Sequence, residues 1–158
     1  MDMQEFSARV EAVRTRLYRT AYLYLANEEA ALEAVDEAVF KALRSLGHLR
    51  EPKFFETWLT RILINECKKE RKRLARLLPQ DAAGERASEA DYDSLPLKTA
   101  ISHLPEELRA VVILRFFADY TLAQTAACLK LPQGTVATRQ RRALQLLRLD
   151  LLEEEEAQ

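Results

Sequence analysis

Apolar residues return at every third or fourth position along almost the whole of this chain, and alternation at two is never sustained. That period belongs to the α-helix, so the sequence specifies an all-α protein. Phe6, Val10, Val13, Leu17 and Ala21 line a first helix. Leu32, Val35, Val39, Ala42, Leu43 and Leu46 line a second. Its start is set by Asn27, a good cap followed by the acids Glu28 and Glu29, and its end by Gly47. Pro52 fixes the start of a third, in which Phe55, Trp58, Leu59, Ile62 and Leu63 form the buried stripe. This helix runs on into a basic block until Pro79 stops it.

The period lapses only across residues 78–94, where Pro, Gly, Ser and acidic residues predict a flexible acidic linker. Beyond it, Leu97, Ala100, Ile101 and Leu104 open a second helical cluster. Pro105-Glu106-Glu107 restarts the helix with proline and acids at its positive end, and Leu108, Val111, Val112 and either Leu114 or Phe116 pack beneath the last two helices of the chain. A chain of 158 residues, 48% hydrophobic, suffices for two small helical domains, 1–77 and 95–152, with an acidic tail at 153–158.

The end of the second cluster carries the most specific local pattern. Thr121 caps a short helix and Gln124 returns the bond in a capping box, with Leu122, Thr125, Ala126 and Leu129 facing inward. A Pro132-Gln133-Gly134 turn leads to a helix that keeps Val136, Gln140, Ala143, Leu144 and Leu147 on one side. Two short helices meeting at such a turn make a helix-turn-helix. The second helix leaves Thr135, Thr138, Arg139, Arg141 and Arg142 for solvent or a groove, with no carboxylate among them. Ordinary solvated helices mix both signs, whereas an arginine-only face suits guanine edges and phosphates.

Charge is sorted along the chain, although the net value is only -1. Between residues 61 and 77, Arg61, Lys68, Lys69, Arg71, Lys72, Arg73 and Arg76 face only Glu66 and Glu70. Residues 80–94 are acidic, and the chain closes on Glu153-Glu154-Glu155-Glu156. Each half therefore holds one basic zone, a polyanion-binding pattern. Cys67 and Cys128 lie far apart without histidines at ligand spacing, so both are expected as buried hydrophobes, with no metal, disulfide or cofactor. His48 and His103 sit in different halves, and no Gly-rich phosphate loop or nucleophile motif occurs, so no enzyme is expected. The polar Met1-Asp2-Met3-Gln4-Glu5 start and the lack of a span-length apolar run predict a cytoplasmic protein without membrane insertion.

In the first half, Leu17-Tyr18-Arg19-Thr20-Ala21, Asn27-Glu28-Glu29-Ala30, the run Ala34 to Leu43 and the run Phe55 to Asn65 resemble region two of bacterial RNA polymerase sigma factors. In the second, Leu104-Pro105-Glu106-Glu107-Leu108-Arg109, Leu114-Arg115-Phe116 and Pro132-Gln133-Gly134-Thr135-Val136 are similar to region four. The chain is thus similar to the extracytoplasmic-function (ECF) group of the sigma-70 family. The resemblance implies that Lys53, Phe54, Arg61, Asn65, Lys68, Lys69 and Lys72 take the melted minus-ten strand. It implies that Gln133, Thr135, Thr138, Arg139, Arg141 and Arg142 enter the minus-thirty-five duplex. Glu33, Asp36, Glu37, Lys41 and Arg44 would meet the clamp of the polymerase beta-prime subunit, and other region-four surfaces the beta flap. An anti-sigma factor is implied as a further partner. Ala137 stands where a lysine is common, Lys130 where a turn glycine is frequent, and Asp36 where glutamine is common. The competing reading is a helix-turn-helix repressor or activator that is not a polymerase subunit, whose first half would serve ligand binding or dimerisation.

Overall fold

The computed structural model describes residues 1–77 and 95–157, without the side chains of Leu95 and 153–157. The expected linker lies outside the described residues. Among the described residues seven α-helices run in order: α1 (Met3–Leu25), α2 (Glu28–Arg44), α3 (Phe55–Leu77), α4 (Leu95–His103), α5 (Glu106–Val112), α6 (Leu122–Leu129) and α7 (Gln133–Ala157). No strand occurs among them.

Local chemistry sets the helix ends. The Asp2 carboxylate accepts from the Glu5 amide at 2.8 Å and starts α1. Ala26, at φ 54, ends it in the left-handed region, and Asn27 then caps α2 by accepting from the Ala30 amide at 2.9 Å. The end of α2 falls earlier than expected. Arg44 is its last residue, and Gly47 lies inside a following 3₁₀ turn, Leu46–His48, without a positive φ. A second such turn, Pro52–Phe54, leads into α3.

Helices α1 to α3 wrap a core of Phe6, Val10, Leu17, Tyr24, Leu59 and Leu63. The contribution of α2 is mostly small: Ala31, Ala34, Ala38 and Ala42 join Val35 in burial. Alanines let α2 lie close to its neighbours, and they move its inward face away from where hydrophobicity alone puts it. Leu32 is consequently 56% exposed, contrary to its expected place in the stripe, and Val39, Leu43 and Leu46 are only half-buried.

The second cluster packs Ile101, Leu104, Leu108, Ile113, Ala143 and Leu147. After α5 the backbone widens into a π-helical turn, Ile113–Phe117, which buries Leu114 and leaves Phe116 44% exposed. Arg109, only 2% exposed, holds this cluster together. It donates to the carbonyls of Ile101 (3.2 Å), Ser102 (2.9 Å) and Leu104 (2.5 Å), and to Glu106 at 2.9 Å. One guanidinium thereby satisfies carbonyls at the end of α4 that have no partner within the helix.

The two helical sets are not held apart as separate modules: one continuous core runs from Phe6 on α1 to Leu147 on α7. Helix α1 packs on α4, and α3 on α6. Arg71 donates to the carbonyls of Tyr24 (3.2 Å) and Ser102 (3.0 Å), the Tyr24 hydroxyl bonds Glu106, and Tyr120 donates to Thr60 at 2.9 Å. Burial pushes the Tyr24 hydroxyl pKa up, reinforced by the Glu106 bond, and raises that of Tyr120 to about 12. Burial lowers that of the Arg71 guanidinium, helped by the like charge of Arg109. Periodicity identifies which faces are apolar but not which element covers them, so this contact is invisible in the sequence.

Candidate nucleic-acid interface

The helix-turn-helix forms as the sequence specifies. The Gln124 amide donates to Thr121 Oγ1 at 3.0 Å and the Thr121 amide to Gln124 Oε1 at 2.9 Å, closing the capping box. Val111, Ala126 and Val136 lock α6 against α7, and Lys130 turns the chain between them at φ 55. Inward, Val136, Ala143 and Leu147 are buried as expected, but Leu144 is 44% exposed because it lies at the edge of the stripe. Gln140 is half-buried and accepts from Arg115 Nε at 2.8 Å, which satisfies its amide oxygen on an otherwise apolar side.

Outward, Gln133, Thr138, Arg141 and Arg142 are exposed, and Thr135 is half-buried. Among the described residues no carboxylate pairs with Arg141 or Arg142. Arg139 differs: its side chain is half-buried and stands 3.9 Å from Glu107. Thr138 donates its hydroxyl proton to the Gly134 carbonyl at 3.0 Å, leaving oxygen lone pairs free to accept. Thr135, Thr138, Arg139 and Arg142 line one recess with Glu107.

On α3, Arg61, Asn65, Lys68 and Lys72 fall four, three and four residues apart and so share one face. Their neighbours are partly neutralised. Lys69 stands 4.0 Å from Glu66, and Arg73 pairs with Glu70 at 2.5 Å. Lys53 and Phe54 sit on the exposed turn before α3, with the Lys53 ammonium 5.1 Å from the Phe54 ring and 3.3 Å from Glu51. They lie at the other end of α3 from Lys72, so the structure brings together four of the seven expected strand-binding residues and leaves this pair apart.

The α3 face looks onto the second helical set. Arg61, Asn65 and Lys68 share a recess of about 130 Å³ with Cys128, Leu129 and Lys130. Lys68 and Lys72 share another, of about 430 Å³, with Glu106, Glu107, Leu131 and Arg139. Both cysteines are buried and unbridged; burial raises both thiol pKa values, that of Cys128 to about 12, so neither is a thiolate near neutrality.

On α2, Glu33, Asp36, Glu37 and Arg44 are exposed, Asp36 lying 3.8 Å from Arg14. Lys41 departs from this set. It reaches back to bond Glu66, whose hydrogen bond pushes its pKa up, so its charge is spent inside the fold. The same surface carries two apolar side chains that the sequence reading did not place there, Leu32 and Phe40, exposed by 56% and 51%, with Arg44 stacked 5.3 Å from the Phe40 ring. The signal available was their spacing of eight residues around Glu33, Asp36 and Glu37.

Known proteins match both halves. The family model described as Sigma-70 region 2 matches residues 9–77, and that described as Sigma-70, region 4 matches residues 100–149. The chain is 32% identical over 144 residues to the RNA polymerase sigma factor SigV of Bacillus subtilis, covering 87% of this chain and 86% of that one. It is also 32% identical over 133 residues to the ECF RNA polymerase sigma factor SigM of Mycobacterium tuberculosis, covering 81% and 67%. The fold matches the sigma factor RpoE of Bartonella quintana, solved in complex with the anti-sigma factor NepR, with a TM-score of 0.77 over 94% of this chain and 98% of that one, at 23% identity. CnrH, solved with the cytosolic domain of CnrY, matches with a TM-score of 0.75 at 22% identity, over 97% and 90%. Two region models in the right order, together with relatives spanning most of the chain, show that it belongs to the extracytoplasmic-function sigma factors and acts as a polymerase subunit in transcription initiation.

Proposed function

We propose that the two basic helices divide promoter recognition between them. Helix α7 enters the major groove of the minus-thirty-five duplex, where Gln133, Arg141 and Arg142 reach base edges and Thr135, Thr138 and Arg139 take phosphates. Helix α3 tracks the melted minus-ten strand: Arg61, Lys68, Lys69 and Lys72 neutralise phosphates, and the Asn65 amide, both donor and acceptor, reads a base edge. Phe54 and Lys53, exposed at the start of α3, offer an aromatic and cationic platform for an extruded base. The observation that carries this reading is the single face shared by Arg61, Asn65, Lys68 and Lys72, on a different helix from the arginine face of α7.

Helix α2 presents Glu33, Asp36, Glu37 and Arg44, with Leu32 and Phe40 among them, to the clamp of the beta-prime subunit. Apolar anchors rimmed by charge are the composition of a docking face. Other surfaces of the second half meet the beta flap. In this reading the promoter-melting unit is 1–77 and the duplex-reading unit 95–152, the protein works in the cytoplasm, and it performs no catalysis of its own. An anti-sigma factor restrains it; the complex of RpoE with NepR supports a partner of that kind.

The test is transcription by purified core polymerase on a promoter library with the chain added. The expected result is activation of a defined promoter subset, abolished by Asn65→Ala with Lys68→Ala. Activation of no promoter, or equal activity of the double variant, overturns the assignment.

A further inference from the structure

Three cations converge without a counter-charge between α3 and the end of α6. Arg61 and Lys68 of α3 and Lys130, which caps α6, line a recess of about 130 Å³ together with the Asn65 amide. Among the described residues no carboxylate lines this recess, and none pairs with any of the three cations. The neighbouring recess of about 430 Å³ differs: Lys68, Lys72 and Arg139 meet Glu106 and Glu107 there, so its charge is largely balanced within the fold. Ile64, Cys128 and Leu129 give the smaller recess an apolar lining, Ile64 and Cys128 being buried. Beside such a lining a charge is screened less than on an open surface. Burial raises the Cys128 thiol pKa while the positive charges of Arg61 and Lys68 draw it down, so both cations act at the same point. Lys130 holds a left-handed backbone at φ 55, which glycine adopts without strain. The Lys130 and Leu131 amides both bond the Ala126 carbonyl, so the donors left for the recess are side chains.

We propose that this recess binds a single small-molecule phosphate group, which competes with single-stranded DNA for α3. The competition, unlike the site itself, rests on the assignment of α3 to the melted strand. A forked guanidinium, two ammonium groups and an amide supply the donors and the positive charge that a tetrahedral dianion requires. The volume lies well below the roughly 300 to 1,000 Å³ of sites for drug-sized molecules, so the recess takes the phosphate and leaves any group esterified to it outside. Asn65 and Lys130 are exposed and Arg61 and Lys68 half-buried, so the recess opens to solvent and a small ion enters without any movement of the helices. Arg61, Asn65 and Lys68 serve either the oxyanion or the strand, whereas Lys130, on the other half of the chain, serves the oxyanion alone.

The test titrates the full-length protein by calorimetry with inorganic phosphate and, separately, with glycerol 3-phosphate, at an ionic strength held constant with sodium chloride. Saturable one-to-one binding is expected. Lys130→Gly, which keeps the left-handed turn, and Lys130→Gln, which keeps the bulk of the side chain, should each weaken it about fivefold or more, and Lys130→Arg should restore it. Circular dichroism confirms the helix content of each variant. No saturable binding of either compound, or unchanged binding in a Lys130 variant of full helix content, overturns the site. Tighter binding of glycerol 3-phosphate supports the site with a phosphomonoester as its ligand, and tighter binding of inorganic phosphate supports it with the free ion. Anisotropy of a fluorescent single-stranded oligonucleotide then reads the competition. At ten times its own Kd, phosphate should weaken oligonucleotide binding to the parent about tenfold, and much less in Lys130→Gly. No weakening in the parent, or equal weakening in both proteins, overturns the competition. Arg61→Ala with Lys68→Ala in phosphate-free buffer then locates the fault. If these changes weaken oligonucleotide binding, α3 binds strands and the competition alone is wrong; if they do not, the assignment of α3 falls.

Discussion

The two basic helices reach the same sign of charge by different constructions. On α3 the cations are interleaved with carboxylates: Glu66 takes Lys41 and approaches Lys69, and Glu70 takes Arg73, so the charge left over is confined to one stripe. On α7, Arg141 and Arg142 have no acidic partner among the described residues, and the helix rests on a small platform held by Arg109. A stripe of lysines spreads positive potential along a backbone with little demand on geometry, whereas forked guanidinium groups on a fixed helix suit paired hydrogen bonds to bases. One helix is therefore suited to follow a strand and the other to read a duplex.

The greatest loss should come from the platform of α7. Arg109→Ala removes four hydrogen bonds, to the carbonyls of Ile101, Ser102 and Leu104 and to Glu106, and should lower the stability of the chain to urea by about 3 to 5 kcal/mol. A loss below about 1 kcal/mol would show that α7 does not depend on that guanidinium. Next come the two helix faces themselves. Arg142→Ala should cost about 1 to 3 kcal/mol in promoter binding and relax preference at one base pair. Lys72→Ala should weaken binding evenly across sequences and reduce the salt slope by about one. Binding to promoter libraries at several salt concentrations separates the two patterns, and identical behaviour of both variants would erase the distinction between the helices.

Two milder changes probe the supports of each half. Thr125 is fully buried behind the helix-turn-helix, and its hydroxyl has no partner among the described residues. Thr125→Val removes that unmet polar group and should raise stability by about 1 kcal/mol, read as a shift of the urea midpoint. In the first half, Ala26 holds a left-handed conformation at φ 54. Ala26→Gly relieves its cost of about 1 to 2 kcal/mol, but glycine loosens the unfolded chain, so the net gain should be about 0.5 kcal/mol, seen in a thermal melt.

What the sequence made legible is what neighbouring residues decide. The Asn27 cap, the Thr121–Gln124 capping box and the inward Val136, Ala143 and Leu147 all depend on residues within a turn or two, and each appears as read. The inward face of α2 was misread because alanines build it, and alanine carries too little hydrophobic signal to outweigh Leu32. Leu144 was misread because a residue at the edge of a stripe has its burial set by neighbouring elements. The links of Lys41 to Glu66 and Arg71 to Glu106 join distant residues, and no local period reports them. The basic faces of α3 and α7 were legible as charge and motif, while the contact of α3 with α6 was not, since it depends on packing between halves.

The division of labour between α3 and α7 is open to a direct test by site-specific crosslinking in the assembled transcription complex. A photo-reactive side chain in place of Asn65, and separately of Arg142, would be activated on a promoter labelled by strand and position. The account predicts that position 65 marks the unpaired strand near minus ten and position 142 the duplex near minus thirty-five. The same products from both positions, or the two exchanged, would contradict it.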